Sequence, residues 1–262
     1  MNIPVEAQLL RRDTDGVAWL TLNRPQARNA LSMGLMTALD EALIAIGQDP
    51  TVQVVVIAGN GPAFCAGHDL REMRAHPEEA SAAATFKLCS QLMQRITALP
   101  RPVIARVHGV ATAAGCQLVA TCDLAIAADT ARFATPGVNI GLFCSTPMVA
   151  LSRAVPRKHA MEMLLTGDMI DAARAREIGL VNRVVPEAEL DAATRALATQ
   201  IASKSPLSLA IGKTAFYRQA ELPLAEAYDY AAAVMTRNMM AHDAAEGIDA
   251  FLAKRQPVWT GT

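Results

Sequence analysis

A run of small residues between an apolar strand and a helix is the first stretch of this chain that could do chemistry. It covers residues 106–118 and overlaps a β-branched strand over Val103–Val107. Residues with so little side-chain bulk let a ligand approach the backbone closely. Unpaired amides at the start of a helix, together with the helix dipole, favour an anionic group there. The run therefore predicts either an anion-receptive corner or a tight turn that only lets two elements pack closely.

A second run of small residues, over 64–70, leads into a polar segment and carries two polar side chains. It follows turn residues at 59–62, where glycine, asparagine and proline favour a reversal of the chain. A histidine side chain ordinarily titrates near neutral pH, so that of His68 could move a proton or could simply be a hydrogen-bonded structural group. Asp69 fits a residue that caps or orders its loop better than one that removes a proton.

Alternating strands and helices must position these two runs. The predicted strands cover residues 17–22, 52–58, 103–107 and 124–128. One predicted helix follows Ser32 as its N-cap, and others cover residues 80–99, 157–165 and 171–178, the last of them capped by Asp171. This alternation indicates parallel sheets joined by right-handed crossovers. Helical spacing places five residues on the buried side of helix 80–99, namely Phe86, Leu92, Met93, Ile96 and Leu99.

The chain after about Pro186 has a wholly helical pattern. An apolar stripe in this part recurs at helical spacing and consists of Leu224, Ala227, Tyr228, Ala231, Met235 and Met239. Such a stripe is typical of a core or of a subunit interface. The helical part is therefore expected to pack on its own core or on a neighbouring subunit.

Composition and charge indicate a globular protein whose partners are small molecules or copies of itself. The 262 residues, 52% of them hydrophobic, suffice for one large core. The 24 Lys and Arg against 25 Asp and Glu leave no excess charge for nucleic acid or membrane surfaces. The five cysteines have no Cys-x-x-Cys spacing, which disfavours disulfide and zinc frameworks and fits a cytoplasmic location. Neither a signal peptide nor a membrane span is expected.

Motifs along nearly the whole chain resemble the enoyl-CoA hydratase/isomerase (crotonase) superfamily. They also resemble its enoyl-CoA hydratase domain-containing branch, in which Ala-Thr-Ala-Ala-Gly-Cys-Gln-Leu and Phe-Ala-Thr-Pro-Gly-Val-Asn occur together. The matching segments are residues 22–25 with 29–31, 63–70, 108–118 with 122–123, 165–168, Ala175, 179–181 and 185–186.

The resemblance implies an α/β fold, a spiral of β-β-α repeats followed by a C-terminal helical trimerisation region. We place the boundary between a spiral core over 1–190 and an oligomerisation region over 191–262. The family also implies a homotrimer or a homohexamer of two trimers, with acyl-CoA thioesters as substrates or ligands. Neither a separate cofactor nor a metal is expected.

The resemblance further implies an oxyanion hole, formed by the backbone amides of His68 and Ala114, that stabilises a thioester enolate. Coenzyme A binding would fall to backbone near Ala66 for the adenine and to basic side chains for the phosphates. The residues implied in binding are Arg24, Arg28, Ala66, His68, Asp69, Leu70 and Lys254. Each of the three cations could equally be an ordinary solvated surface residue.

The chain departs from the family pattern at the two positions where hydratases carry glutamates. Gln117 and Gly137 stand there, and neither has a side chain that can act as a general base. Losing one such group forfeits about 10²–10⁴ in rate, so conventional hydration is doubtful. Cys144 lies where the related naphthoyl-CoA synthases place a functional aspartate, although a buried cysteine more often only packs.

Two functions from different classes remain open. The first is an acyl-CoA lyase or isomerase that keeps the oxyanion hole and uses unconventional acid-base chemistry. The second is a non-catalytic acyl-CoA-binding or regulatory protein, which the loss of both glutamates favours. A purely structural oligomerisation subunit is weaker, because it gives no reason for the two runs of small residues.

Overall fold

Successive strands alternate between two sheets in the computed structural model, which describes residues 7–262. A six-stranded sheet has the order β1-β2-β3-β5-β7-β10, and a four-stranded sheet has the order β4-β6-β8-β9. The strands are β1 Leu9–Thr14, β2 Val17–Leu22, β3 Val54–Gly59, β4 Ala63–Cys65, β5 Val103–Val107, β6 Val110–Thr112, β7 Leu124–Ala128, β8 Arg132–Ala134, β9 Ile170–Asp171 and β10 Arg183–Val185.

Parallel pairing dominates both sheets, as the alternation of strands and helices predicted. Among the strands of residues 7–262, only the β1–β2 hairpin in the large sheet and the β8–β9 pair in the small one are antiparallel. The pairs β3–β4, β5–β6 and β7–β8 each place one strand in each sheet before the chain turns into helix. This repetition is the predicted spiral of β-β-α repeats, and the mixed α/β class is confirmed.

The helices include those predicted, with small changes at their ends. They are α1 Met33–Gln48, α2 Leu70–Ala75, α3 Glu79–Ala98, α4 Ala114–Thr121, α5 Pro147–Ala154, α6 Arg157–Thr166, α7 Ala172–Glu177, α8 Leu190–Ala202, α9 Pro206–Gln219, α10 Leu224–Met239 and α11 His242–Leu252. Ser32 caps α1 by accepting a hydrogen bond from the Leu35 amide, and Asp171 caps α7 through the Arg174 amide. The start predicted for the second strand, at residue 52, is wrong by two residues, because the strand begins at Val54.

Sequence periodicity missed β1 and misplaced one residue of α3. Strand β1 carries charged residues and is almost wholly exposed, because it lies at the edge of the sheet, where one face has nothing to bury. Phe86 is 37% exposed, so its predicted place on the buried side of α3 is wrong. Leu92, Met93, Ile96 and Leu99 are buried as predicted.

Two apolar clusters pack helices against the two faces of the large sheet. The larger cluster joins α1, α3 and α4 to one face of the sheet through residues such as Leu39, Leu92 and Leu118. The smaller one packs Leu190, Leu197 and Ala198 of α8 against the opposite face. Burying both faces of a parallel sheet explains why its strands are continuous apolar runs rather than alternating ones.

The stripe on α10 does not form a core within this chain. Leu224 is 75% exposed and Tyr228 is 70% exposed, and Met235 and Met239 are also exposed. Ala227 is the one buried residue of the stripe among the described residues, so a core within this chain does not account for the other five. The helical pattern also ends earlier than predicted, at Leu252.

The non-helical tail after α11 is held by two carboxylates. Asp243 accepts hydrogen bonds from Ser205, from the amide and hydroxyl of Thr260, and from the Gly261 amide. Arg255 forms two hydrogen bonds with Glu246, at 2.6 and 2.7 Å. The indole of the tail residue Trp259 donates to the Ser203 carbonyl.

Acid is expected to release this tail. The Arg255 hydrogen bonds lower the pKa of Glu246 to about 2. Burial opposes ionisation of Asp243, but its hydrogen bonds outweigh burial and lower its pKa. A carboxyl group with a lowered pKa stabilises the fold above its unfolded pKa of about 4, and this contribution is lost as the pH falls through its folded pKa. Trp259 fluorescence should therefore change between about pH 4 and pH 2.

The control for this titration is a Trp259→Phe variant, which leaves Trp19 as the background signal. In Glu246→Gln, whose side chain cannot ionise, the Trp259 spectrum should already resemble the acid form at pH 7. An unchanged Trp259 spectrum from pH 5 to pH 2 in the wild-type protein would contradict the expectation.

Candidate active site

The two runs of small residues meet backbone to backbone at the start of α4. A Cβ atom on Gly67 would lie 2.9 Å from the Ala113 Cβ and 3.3 Å from the Ala114 nitrogen. A Cβ atom on Gly115 would lie 2.1 Å from the Cys65 carbonyl oxygen, far inside any tolerated contact. Gly67 also has φ +96°, which disfavours any other residue there. The glycines therefore make the close approach of these segments possible.

This contact brings together two amides that lack hydrogen-bond acceptors. The Leu31 amide donates to the Gly67 carbonyl, and the Asp69 amide donates to the Leu31 carbonyl. The N–H of His68, which lies between these two residues, takes no part in this pairing. Ala114 is the first residue of α4, so its N–H has no partner within the helix. Within residues 7–262, no acceptor is in hydrogen-bond range of either N–H. Such amides can bind an anionic oxygen.

Strained backbone sets the direction of α4 at this point. Ala113 has φ 50° and ψ −118°, a combination that a residue with a Cβ rarely adopts. Its amide donates to the Ala134 carbonyl of β8 at 2.9 Å, which anchors the strained residue to the small sheet. Strain of this kind costs about 1–3 kcal/mol and clusters at functional sites. The geometry therefore singles out the first turn of α4.

The His68 side chain lies beside Phe86 with both ring nitrogens unpaired. The two rings meet edge to face, with centroids 5.5 Å apart. Both nitrogens are buried, and neither makes a hydrogen bond of good geometry within the described residues, although the Leu31 backbone lies close enough to oppose in part the effect of burial on the imidazole pKa. Burial lowers the pKa of the imidazole, so it is neutral at pH 7. The contact with Phe86 was missed because periodicity assigned that residue to the core.

Thr135 supplies a further buried polar group that sequence reasoning did not select. It is fully buried, and its hydroxyl has no hydrogen-bond partner in the described part of the chain. Its neighbour Ala134 accepts the Ala113 amide, so Thr135 lies next to the strained turn. A threonine at the end of a short strand carries no sequence signal that marks it as functional.

Some of the residues predicted to bind coenzyme A make contacts inside the protein, and others are exposed. Arg24 forms an ion pair with Asp69 at 2.9 Å and donates to the Ala30 carbonyl. Asp69 also caps α2 by accepting from the Arg71 and Glu72 amides, as its sequence context predicted. Arg24 and Asp69 therefore lock the two loops together and have little freedom left for a ligand.

The remaining predicted binding residues leave groups open to solvent. Arg28 is exposed, and its carbonyl accepts the Ala66 amide at 3.0 Å. The Ala66 carbonyl accepts the Thr112 hydroxyl at 3.1 Å and keeps a second lone pair. Leu70 is 49% exposed, whereas Lys254 lies beyond α11, and no hydrogen bond joins it to the other predicted residues within 7–262.

Gln117 and Gly137 occupy confined places. Gln117 is buried, and its side-chain oxygen accepts the Cys89 thiol at 3.8 Å. A Cβ atom on Gly137 would lie 2.7 Å from the Leu142 carbonyl oxygen and 2.9 Å from the Cys144 sulfur. Burial raises the pKa of the Cys144 thiol, so this sulfur stays protonated at neutral pH. The structure thus brings Gly137 and Cys144 together and leaves no space for a side chain at position 137.

Two cavities adjoin these residues. One, of about 470 Å³, is lined in part by Leu70, Thr85 and Leu142, of which Leu70 and Thr85 lie within two residues of His68 and Phe86 in the sequence. The other, of about 680 Å³, is lined in part by Gln117. Among residues 7–262, no helix is long and apolar enough to cross a membrane, and no three His, Cys, Asp or Glu side chains are grouped to hold a metal ion.

Solved structures share this arrangement of elements over almost their whole length. The crystal structure of an enoyl-CoA hydratase from Mycobacterium smegmatis superposes with a TM-score of 0.95 at 54% identity, covering 97% of this chain and 99% of that one. The crystal structure of human enoyl coenzyme A hydratase domain-containing protein 3 gives a TM-score of 0.94 at 46% identity, covering 96% and 100%.

A curated relative corrects the expected location. Enoyl-CoA hydratase domain-containing protein 3 of Xenopus laevis is 48% identical over 245 residues, which cover 94% of this chain and 83% of the relative. That protein is named as mitochondrial, so the expectation of a cytoplasmic location is wrong. Unpaired cysteines indicate the redox state of a compartment but do not identify the compartment.

The family model described as enoyl-CoA hydratase/isomerase matches residues 12–262. The match includes both runs of small residues, the strained turn at Ala113 and all four C-terminal helices. On sequence and on structure alike, the chain belongs to the enoyl-CoA hydratase/isomerase family.

Proposed function

We propose that the protein binds an acyl-CoA thioester and stabilises its enolate through the amides of His68 and Ala114. The observation that carries this proposal is the pair of unpaired N–H groups beside the Gly67–Ala113 contact. Two preorganised donors in a water-poor site contribute several kcal/mol to the binding of a developing oxyanion, at about 3 kcal/mol each. Because the donors belong to the backbone, this function does not depend on the missing glutamates.

In this proposal the coenzyme A portion follows the exposed side of the 24–31 and 66–70 loops. Arg28, Leu70 and the free lone pair of the Ala66 carbonyl contact it, and Lys254 meets a phosphate. Arg24 and Asp69 act as positioning residues, since their ion pair joins the two loops. The chemistry uses no metal and no cofactor apart from the thioester itself.

Calorimetric titration with butyryl-CoA tests the binding proposal. We expect saturable binding that free butyrate does not reproduce. The absence of heat at millimolar butyryl-CoA would refute it. Incubation with a panel of enoyl-, hydroxyacyl-, malonyl- and aryl-CoA thioesters then separates an enzyme, which turns over at least one of them, from a non-catalytic acyl-CoA-binding protein.

The non-catalytic alternative rests on the surroundings of Gln117 and Gly137. No carboxylate stands at either position, and the Cys144 thiol beside Gly137 is protonated at neutral pH. A protein that binds the thioester without turnover would need only the amides and the loops. Binding without turnover of any panel member would establish this second function.

Wild-type protein is expected to show negligible hydration of crotonyl-CoA. Gln117→Glu restores one general base and should raise the rate by about 10²-fold, the lower end of the usual contribution. Adding Gly137→Glu should give no further gain, because its Cβ would collide with the Leu142 carbonyl oxygen and displace that loop. Absorbance of the enoyl thioester measures the rate.

Gln117→Ala is the control for this series, because it opens the same space without supplying a base. Brisk hydration by the wild-type protein would show that the two substitutions do not remove the activity. A rate in Gln117→Ala equal to that in Gln117→Glu would show that the carboxylate is not the cause of the gain.

We further propose that the protein assembles as a homotrimer or homohexamer. The exposed apolar side chains of α10, among them Leu224, Tyr228 and Met235, support this, since large exposed apolar patches mark interaction sites. Light scattering should give three or six times the 27.8 kDa chain mass. Met235→Glu should shift this assembly to smaller species, and a monomeric wild-type protein would contradict the proposal.

A further inference from the structure

Unpaired buried polar atoms are concentrated around the first turn of α4. Among the described residues, the buried side-chain atoms without a hydrogen-bond partner are His68 Nδ1, His68 Nε2, Thr135 Oγ1 and Arg101 Nε. Buried polar groups in folded proteins almost always have partners, so each exception needs a reason. Three of these four atoms belong to the two residues that flank the contact between Gly67 and Ala113.

The backbone connections place both residues next to the segments that carry the unpaired amides. His68 follows Gly67, which touches Ala113 and the Ala114 nitrogen. Thr135 follows Ala134, which accepts the Ala113 amide at 2.9 Å. The His68 ring is also attached to the same residue as one of the two amides. A ligand whose oxygen lies on those amides would therefore sit next to the residue that carries the ring.

The chemistry of these groups fits a neutral oxygen better than a hydrocarbon. A neutral imidazole offers one donor and one acceptor, and a threonine hydroxyl offers both. Phe86 packs against the ring edge to face and provides no hydrogen-bonding group of its own. A purely alkyl acyl chain would leave all of these polar atoms unpaired after binding, whereas a hydroxyl or carbonyl oxygen would satisfy them.

We propose that the His68 imidazole and the Thr135 hydroxyl are specificity-determining groups that hydrogen-bond to an oxygen substituent on the acyl carbons next to the thioester. The preferred ligand is then an oxygenated acyl-CoA rather than a simple alkyl or enoyl thioester. This inference rests on the proposed function, because the amides must first hold the thioester carbonyl.

Calorimetry with two thioesters that differ by one hydroxyl group tests the inference. The wild-type protein should bind 3-hydroxybutyryl-CoA at least about tenfold more tightly than butyryl-CoA, because a site built around a hydroxyl rejects the analogue that lacks it. His68→Leu and Thr135→Val should each bring the ratio of the two affinities close to one, and the test reads this ratio rather than the affinity for butyryl-CoA itself. His159→Leu, which removes a half-exposed histidine paired with Arg174, should keep the preference.

A measurement on the wild-type protein covers the case in which a variant does not fold. In ¹⁵N-histidine spectra, the ring nitrogens of His68 should shift on addition of 3-hydroxybutyryl-CoA and stay in place with butyryl-CoA. Equal affinity for both thioesters, or equal ring shifts, would overturn the inference and leave the acyl-CoA proposal intact. Failure to bind either thioester would instead refute the proposed function, and this inference with it.

Discussion

Gly115→Ala is expected to abolish acyl-CoA binding and to destabilise the fold. The new Cβ would lie 2.1 Å from the Cys65 carbonyl oxygen, and both atoms belong to backbone that cannot rotate away. The first turn of α4 must then move from the 65–67 segment, which separates the His68 and Ala114 amides. Overpacking of this kind costs about 3 kcal/mol, and a displacement near 1 Å at a reacting group costs about 10²-fold.

Gly212→Ala is the matched control, because Gly212 also lies in a helix. No atom lies within 4 Å of a Cβ built there, so the variant should be neutral or stabilised by about 0.5–1 kcal/mol. Denaturant unfolding and butyryl-CoA titration measure both effects. Wild-type affinity and stability in Gly115→Ala would show that the close contact at α4 is not needed.

Lys213→Met is expected to lower the free energy of unfolding by about 3–5 kcal/mol, the usual cost of breaking a buried ion pair. The Lys213 ammonium is 6% exposed and contacts Asp123 at 2.7 Å. It also donates to the carbonyls of Ile96 and Arg101, which satisfies all three of its protons. Methionine fills the volume but leaves two carbonyls and a carboxylate without this donor.

Asp123 connects Lys213 and Tyr217 of α9 to strand β5. Its carboxylate also accepts the Val103 amide at 2.7 Å and the Tyr217 hydroxyl at 2.8 Å. These contacts make Asp123 a structural residue. Loss of Lys213 should therefore weaken the link between the strands and α9.

Arg153→Met serves as the comparison for Lys213→Met. The Arg153–Glu221 pair is about 60% exposed on both sides, so its loss should cost no more than about 1 kcal/mol. Thermal and denaturant unfolding of both variants give the difference. A cost below 1 kcal/mol for Lys213→Met would contradict the assigned role of the buried ammonium.

Local sequence determined the central elements of the large sheet and several helix ends. Apolar runs predicted the central strands, and the caps at Ser32 and Asp171 were predicted from residue type, because a cap depends on atoms within three residues. Gly167 ends α6 in the left-handed conformation for the same reason. The motifs also predicted the family, since they consist of short segments whose residue types have a fixed order.

Residue type alone could not predict what distant segments do to one another. The burial of Phe86 was predicted wrongly because its position on the apolar side of α3 says nothing about whether His68 covers that side. The sequence marked Arg24 as a possible phosphate ligand, whereas the fold pairs it with Asp69, 45 residues away. Thr135 was not selected at all, because only tertiary contacts show that its hydroxyl is buried and unpaired.

The first turn of α4 shows most clearly which features local sequence determines and which depend on tertiary contacts. Small residues and a helix start predicted a place where backbone could bind an anion. Only the tertiary structure decided that Gly115 must lie against the Cys65 carbonyl, that the His68 amide lies outside the Leu31 pairing, and that Cys144 fills the space beside Gly137. Sequence sets which groups a segment carries, but close packing between segments decides which of them remain free to bind.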